Sequence, residues 1–293
     1  VAAAAALGYQ PNLVASGLIT RRTNMVAVVI SNLTNLYYPE VLAELTRRLS
    51  ERGVRVLLFT LAAESEVDAV LDQIWRYRVD GAIVAARLSP GQLQAFTRHR
   101  VPVVLYNRHV EGEPVSSVRC DSVAGERHLV DALWAAGHRC FGLVTGPADS
   151  FVGQERMRAV EDRLHELNHP PMVAVGAFDY ASGDRALSEL RMRTAGKLDA
   201  LICVNDLMAI GAIDSARWNA GLRVPEDLSV VGFDGVAPAQ WLSYRVATIR
   251  QPVGQMTEAA VAMVLARVDD PGLAAEARTF GGQFLRGTSA RFD

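Results

Sequence analysis

The sequence predicts an α/β protein built as two similar doubly wound parallel-sheet lobes joined by several crossovers, and three observations carry that expectation. Short continuous apolar runs alternate with amphipathic helical stretches from residue 25 onward, the pattern of parallel strands covered on both faces by crossover helices. The chain has 293 residues, 50% of them hydrophobic, enough to furnish two cores rather than one. Local sequences also recur: Arg78-Val-Asp-Gly-Ala-Ile-Val84 is echoed by Lys197-Leu-Asp-Ala-Leu-Ile-Cys203, and Pro102-Val-Val-Leu-Tyr-Asn107 by Ser229-Val-Val-Gly-Phe-Asp234.

Residues 1–24 stand apart, with Arg21 and Arg22 as their only charged side chains. The alanine run before Leu7 reads as the end of a helix begun upstream, with Gly8 as its stop signal. Pro11 suits the first turn of a short helix that carries Leu13, Val14 and Leu18 on one side. A helix this short is marginal on its own, and Gly17 weakens it by about 1 kcal/mol relative to alanine. It needs a partner to be stable.

The alternation begins at Met25–Ser31, a strand, followed by a helix over Pro39–Arg52 with Val41, Leu42, Leu45 and Leu49 at helical spacing. Strand Val54–Leu61, helix Glu64–Tyr77, strand Gly81–Ala85 and helix Pro90–His99 come next, then strands Val101–Tyr106 and Val115–Cys120. The pattern restarts with helix Ser122–Ala136, strand Cys140–Thr145 and helix Val152–Leu167. Met172–Ala177, Tyr180–Arg193, Ala200–Val204, Leu207–Asn219 and Leu228–Phe233 continue strand, helix, strand, helix, strand. An extended piece, Val246–Pro252, leads to a helix over Val253–Arg267 and a last strand over Arg278–Arg286. Elements that arrive after two complete lobes imply that the chain crosses between lobes several times, which restricts their relative motion to hinge bending.

Charge and motifs narrow the function. With 30 basic and 32 acidic residues the body is neither a nucleic-acid groove nor a polybasic membrane binder. Cys120, Cys140 and Cys203 are few, far apart and set in or beside apolar runs, so they read as small buried hydrophobes of a reducing compartment rather than disulfide partners or metal ligands. No stretch has the length of a membrane span or the form of a signal peptide, which leads us to expect a cytoplasmic protein. Phosphate-loop, dinucleotide-binding, nucleophile-elbow and zinc-protease motifs are absent and the six histidines are scattered, so neither an enzyme nor a resident cofactor or metal is expected. What does recur is a polar residue directly after a strand: Ser31 and Asn32, Asn107, Thr145, Asn205 with Asp206, and Asp234. Each alone is an ordinary cap or turn residue. Together, at strand C-termini of two facing lobes, they would line a cleft.

The order of motifs resembles one family along the whole chain. Leu7-Gly-Tyr-Gln-Pro-Asn-Leu-Val-Ala-Ser-Gly-Leu18 is similar to a hinge-helix motif, Asn35-Leu-Tyr-Tyr38 to an NPFF-like turn, and Gly137-His-Arg139 with Leu143–Pro147 to a GHRRIAxIxGP run; Asp199–Gly211, Leu228–Asp234 and Thr248–Pro252 complete the series. These resemble the LacI/GalR family, bacterial transcription regulators related to the lac and purine repressors. The resemblance implies a DNA-binding homodimer, with an N-terminal helix-turn-helix, a hinge helix and a periplasmic-binding-protein-like core that senses a sugar or other small polar metabolite. It divides the chain into residues 1–23, the remnant of the DNA-binding domain plus hinge; 24–121 with 251–270, the first lobe; and 122–250 with 271–293, the second lobe.

By motif the resemblance implies effector contacts at Tyr37, Tyr38, Asn107, Arg156, Phe178, Asn205 and Asp234, and DNA contacts by hinge residues Asn12, Ala15 and Leu18, with Leu18 as the apolar wedge in the minor groove. The side-chain chemistry accords with a polar ligand: Asp234 and Asn107 for hydroxyls, Arg156 as a planar fork of donors, Phe178 or Tyr38 as a stacking face. Ser16 and Gly17 depart from the more helix-favouring residues common there, which implies a weaker hinge. A solute-binding protein of a transport system would share the two-lobed architecture, and an enzyme on that scaffold is the third possibility; neither has a motif of its own here.

Overall fold

The computed structural model describes residues 22–61 and 66–292. The expected hinge contacts Asn12, Ala15 and Leu18 lie outside the described residues.

The first sheet is organised on β1 (Met25–Ser31), which lies between β2 (Arg55–Leu61) and β3 (Gly81–Ala85) in parallel register, Val26 opposite both Val56 and Gly81. All residues of β1 after Met25 are buried, as a strand covered on two faces requires. Val26, Val28 and Ile30 point to the side of α1 (Tyr37–Ser50), while Ala27 and Val29 point to that of α2 (Val67–Tyr77) and α3 (Pro90–His99). The period of two therefore feeds two cores from one strand. α3 opens with a capping box, Ser89 accepting from the Gln92 N–H while the Gln92 side chain accepts from the Ser89 N–H. α2 and α3 both stop on an arginine in the left-handed region, Arg78 (φ 51°) and Arg100 (φ 57°), where glycine or asparagine is usual.

β4 (Val103–Tyr106) and β5 (Ser116–Cys120) extend this sheet, and the chain then leaves for the second lobe. There α4 (Ser122–Ala135), β6 (Phe141–Thr145), α5 (Phe151–Glu166), β7 (Met172–Val175), α6 (Tyr180–Arg193), β8 (Ala200–Cys203), α7 (Asp206–Asp214), β9 (Ser229–Asp234) and β10 (Ala247–Arg250) build the second sheet. After β10 the chain returns to the first lobe as α8 (Val253–Asp269), which packs on α1 and on β3 to β5.

With two last strands, β11 (Ala277–Phe280) and β12 (Gln283–Leu285), the two six-stranded sheets have corresponding orders, β11-β5-β4-β3-β1-β2 and β12-β10-β9-β8-β6-β7. β4 thus corresponds to β9, and Asn107 to Asp234, as the sequence echo implied. Two expectations change. Arg278–Arg286 is not one strand but two, β11 (Ala277–Phe280), parallel to β5 in the first sheet, and β12 (Gln283–Leu285), antiparallel to β10 in the second. Residues 277–280 therefore belong with the first lobe rather than the second. Gly281 and Gly282 make this last crossing, and a side chain on Gly282 would run into Ile249, so sequence periodicity reads through a break that close backbone packing imposes. The expected helix over Leu207–Asn219 is α7 followed by a wider π turn over Ser215–Asn219, closed by Ala220 N–H donating to the Ser215 carbonyl.

The chain crosses between lobes near Asp121, at Gln251–Pro252 and at Gly281–Gly282. No helix among the described residues is long and apolar enough to span a membrane.

α6 and α7 meet at two glycines, a Cβ on Gly183 colliding with the Met208 carbonyl and one on Gly211 with the Tyr180 carbonyl. Both obstacles are backbone, which cannot rotate away. Gly183→Ala and Gly211→Ala are each expected to destabilise the fold by about 1–3 kcal/mol, read as a lower denaturant midpoint at unchanged slope; wild-type midpoints would show the crossing to be looser than described.

Candidate functional site

The strand C-termini of both sheets face one another, and the loops that follow them enclose a narrow interlobe space. Its walls include Tyr37, Tyr38 and Asn107 from the first lobe and Arg156, Phe178 and Asp234 from the second, with Gln251 of the middle crossover between them. Four backbone positions on this wall have positive φ without being glycine: Asn32 (55°), Asn107 (51°), Phe178 (60°) and Asp234 (113°). Such conformations cost of order 1–3 kcal/mol each, and here they turn side chains that follow strands into the cleft.

One hydrogen-bonded chain runs through the cleft from lobe to lobe. The Asn107 amide donates to Gln251 Oε1 (2.8 Å) and to the Tyr37 hydroxyl (3.2 Å), and Tyr37 in turn meets the Tyr106 hydroxyl (3.3 Å). Gln251 Nε2 donates to Asp234 Oδ1 (2.8 Å), and the same oxygen is 2.9 Å from Arg156 Nη2. Arg156 Nη1 donates to the Val204 carbonyl (2.7 Å), and its guanidinium lies 3.8 Å over the Phe233 ring. Asn107 is itself fixed by the Cys120 N–H donating to its Oδ1 (2.9 Å) and by Arg108 donating to its carbonyl (2.9 Å).

Six of the seven expected effector residues come together here. Asn205 does not: it caps α7 by accepting from the Met208 N–H and donates to the Phe178 carbonyl, so it stands behind the wall and holds Phe178 in place. Phe178 lies in a notch made by Gly146 and Gly153, where any side chain would enter its ring. Sequence reading missed Asn35, Arg108 and Gln251. Asn35 and Gln251 sit inside quoted motifs, and Gln251 follows a strand as Asn107 does, a signal that was present but not drawn out.

Arg156 and Asp234 are both nearly inaccessible, at 2% and 4% exposure. Burial pushes the Asp234 carboxyl above its ordinary range, opposed by Arg156 and by the hydrogen bond from Gln251. Asp234 Oδ2 and Arg156 Nε have no hydrogen-bond partner among the described residues, which leaves an acceptor and a donor facing the cleft. The remaining free space is about 20 Å³, little more than one water, against ~300 Å³ for a small ligand pocket. A ligand of any size requires the lobes to hinge apart. No cluster able to hold a metal ion occurs among the described residues.

Behind the ion pair lie two further acids. Asp206 accepts from the Thr248 hydroxyl (2.6 Å) and the Val236 N–H (2.8 Å), and burial raises its pKa to about 8. Glu126 on α4 is fully buried with neither carboxyl oxygen partnered among the described residues, and burial raises it to about 8 despite Arg156 nearby.

A family model described as a periplasmic binding protein-like domain matches residues 130–289. The chain is 30% identical to the HTH-type transcriptional regulator AscG of Escherichia coli, over 95% of this chain and 84% of that protein. It is 31% identical to the HTH-type transcriptional regulator CelR of Thermobifida fusca, over 89% and 80% respectively. The structure of a CelR–cellobiose complex superposes with a TM-score of 0.82 at 28% identity, covering 98% of this chain and 88% of that one.

The raised carboxyls set a pH dependence, and Glu126 is the one with no partner of its own among the described residues. Glu126 holds its proton to about pH 8 when folded but only to about 4.5 when unfolded, so its contribution is complete below about 4.5 and is lost as pH rises towards 8. Glu126→Gln keeps the shape without the charge and is expected to flatten the fall in Tm between those values; an unchanged pH profile would mean that Glu126 is solvated.

Proposed function

This chain belongs to the LacI/GalR family of bacterial transcription regulators, and from that membership we propose that it is the effector-binding and dimerisation core of a DNA-binding regulator that senses a sugar or sugar-like metabolite in the interlobe cleft. The observation that carries the ligand class is the partly satisfied chain Asn107–Gln251–Asp234–Arg156, whose free Asp234 oxygen and Arg156 N–H suit the alternating donors and acceptors of hydroxyls. Tyr38 and Phe178 supply apolar faces for a ring. The cellobiose held by the related CelR is of this class.

A ligand that bridges Asn107 and Asp234 replaces direct lobe-to-lobe hydrogen bonds by its own, and so resets the angle between lobes. Three crossovers confine the motion to a hinge, which carries it to the opposite end of the first lobe. There Thr23 and Asn24 are anchored, their backbone N–H groups donating to the Asp80 carboxylate at 3.0 and 2.7 Å. The hinge contacts assigned to Asn12, Ala15 and Leu18 precede that anchor. Lobe angle thereby becomes the spacing of two hinge segments in a dimer.

The second lobe offers a surface for the second copy: Trp218, Trp241 and Leu242 are 81%, 60% and 81% exposed, and Arg217 donating to the Ser243 carbonyl joins their two segments. This role places the protein in the cytoplasm, where Cys120, Cys140 and Cys203 as free thiols are expected.

A thermal-shift screen against mono- and disaccharides is expected to yield a stabilising ligand, for which Asp234→Asn and Asn107→Ala each lower affinity at least ten-fold. Arg156→Lys keeps a buried cation without the planar fork and is expected to weaken the same ligand. A ligand bound equally well by all three variants would place the site elsewhere. In the intact protein, Leu18→Ala is expected to reduce both operator affinity and DNA bending; wild-type values for both would remove Leu18 from the wedge role.

A further inference from the structure

The end of the first lobe opposite the cleft carries an arrangement that effector binding does not use. Arg76 and Arg98 lie in the last turns of α2 and α3, and Arg78 and Arg100 are the residues on which those helices stop. All four are exposed, and none has a carboxylate partner among the described residues. Several arginines at other helix ends are neutralised, Arg47 by Glu44 and Glu51, Arg163 by Asp131 and Glu166 and Arg193 by Glu189, whereas Arg191 and Arg267 also lack a carboxylate partner among the described residues. A cation near a helix C-terminus is ordinary. Two per helix are not needed for that, and an arginine in the left-handed stop position carries a strain that glycine would avoid.

The two helix ends that carry them are also held together. Trp75 of α2 stacks flat on His99 of α3, with ring centroids 4.3 Å apart and planes 2° from parallel, and meets Phe96 edge-on. These contacts bind the C-terminal ends of the two helices together. The patch surrounds the point where the chain enters the lobe: the Thr23 hydroxyl donates to the carbonyl of Arg78, and Arg22, Arg78 and Arg100 line one groove with Trp75 and His99. The carboxylates beside that entry are engaged, Asp80 by the N–H groups of Thr23 and Asn24 and Asp269 by Arg22. Asp68 and Asp72 of α2 lie further along, in a groove shared with Arg98, so the basic character is strongest at the helix ends, in a chain whose net charge is −2.

We propose that this face, through Arg76, Arg78, Arg98 and Arg100, contacts the phosphate backbone of the DNA duplex directly, so that the effector core itself supplies sequence-independent affinity. The proposal rests on the regulator reading above. Leu18 lies five residues before Thr23, at most about 18 Å along an extended chain. A duplex holding Leu18 in its minor groove therefore runs close to this patch, and it carries a phosphate every ~1.7 Å of axis. Arginine suits this partner, since its fork pairs bidentately with phosphate oxygens.

The test uses the intact protein, a duplex of the regulator's own promoter region and a duplex of random sequence, titrated over a range of potassium chloride concentrations. The Arg76→Gln/Arg78→Gln/Arg98→Gln/Arg100→Gln variant is expected to lose at least ten-fold in affinity for both duplexes. The slope of log K against log salt is expected to shrink by about 2 or more, at ~0.9 per phosphate contact. Each helix's own pair of substitutions should give part of that change, which guards against a misfolded quadruple variant. Arg185→Gln on the second lobe is expected to change neither quantity. Wild-type slopes in the quadruple variant would overturn the proposal, as would lost affinity at unchanged slope, which would assign the arginines to positioning residues 1–21. A wild-type chain that binds neither duplex would instead overturn the regulator reading.

Discussion

The buried contact between Arg156 and Asp234, extended through Gln251 to Asn107, is the interaction on which the rest depends. An ion pair removed from water is poor stabilisation, because desolvation offsets most of the attraction, and breaking it leaves a charge stranded at a cost of about 3–5 kcal/mol. Its use is therefore geometric. Gln251 lies in the middle crossover and joins a residue that follows β4 to the one that ends β9, so the state of one amide reports the angle between two lobes. Any group that takes the place of that amide has to satisfy the same oxygens and N–H groups, which favours ligands rich in hydroxyls.

Most of the architecture was legible in the sequence because parallel strands buried on both faces leave unbroken apolar runs. Met25–Ser31, Gly81–Ala85, Pro90–His99 and Tyr180–Arg193 occur with the bounds that periodicity implies. The echo of Pro102–Asn107 in Ser229–Asp234 already placed Asn107 and Asp234 at equivalent strand ends. What periodicity could not carry was long-range packing. The split of Arg278–Arg286 between two sheets arises from Gly282 lying against Ile249, far away in sequence, and Asn205 leaves the cleft wall because its amide is used twice behind it. Glu126 was invisible for a similar reason. A glutamate beside an arginine on a helix reads as solvated, and only the fold reveals that this one faces the interior.

The cleft and the opposite end of the first lobe divide the electrostatic work. In the cleft the Arg156 guanidinium faces Asp234 with Glu126 nearby, and burial keeps protons on Glu126 and Asp206, the acids that it does not pair. At the far end charges stay in water, where each contributes little to stability and remains free to meet a partner. Stability and association thus draw on separate groups of arginines.

The exchange of strands between lobes has a consequence for how the protein comes into being. The first lobe lacks its edge strand β11 and its covering helix α8 until residues 253–280 have been made, after the whole of the second sheet except β12. A chain emerging from the ribosome at about 5–20 residues per second cannot complete its first lobe before starting its second. Neither lobe is a unit of folding, although each has a sheet of its own. Both must await the same last forty or so residues, a long-range closure that favours slow, cooperative assembly.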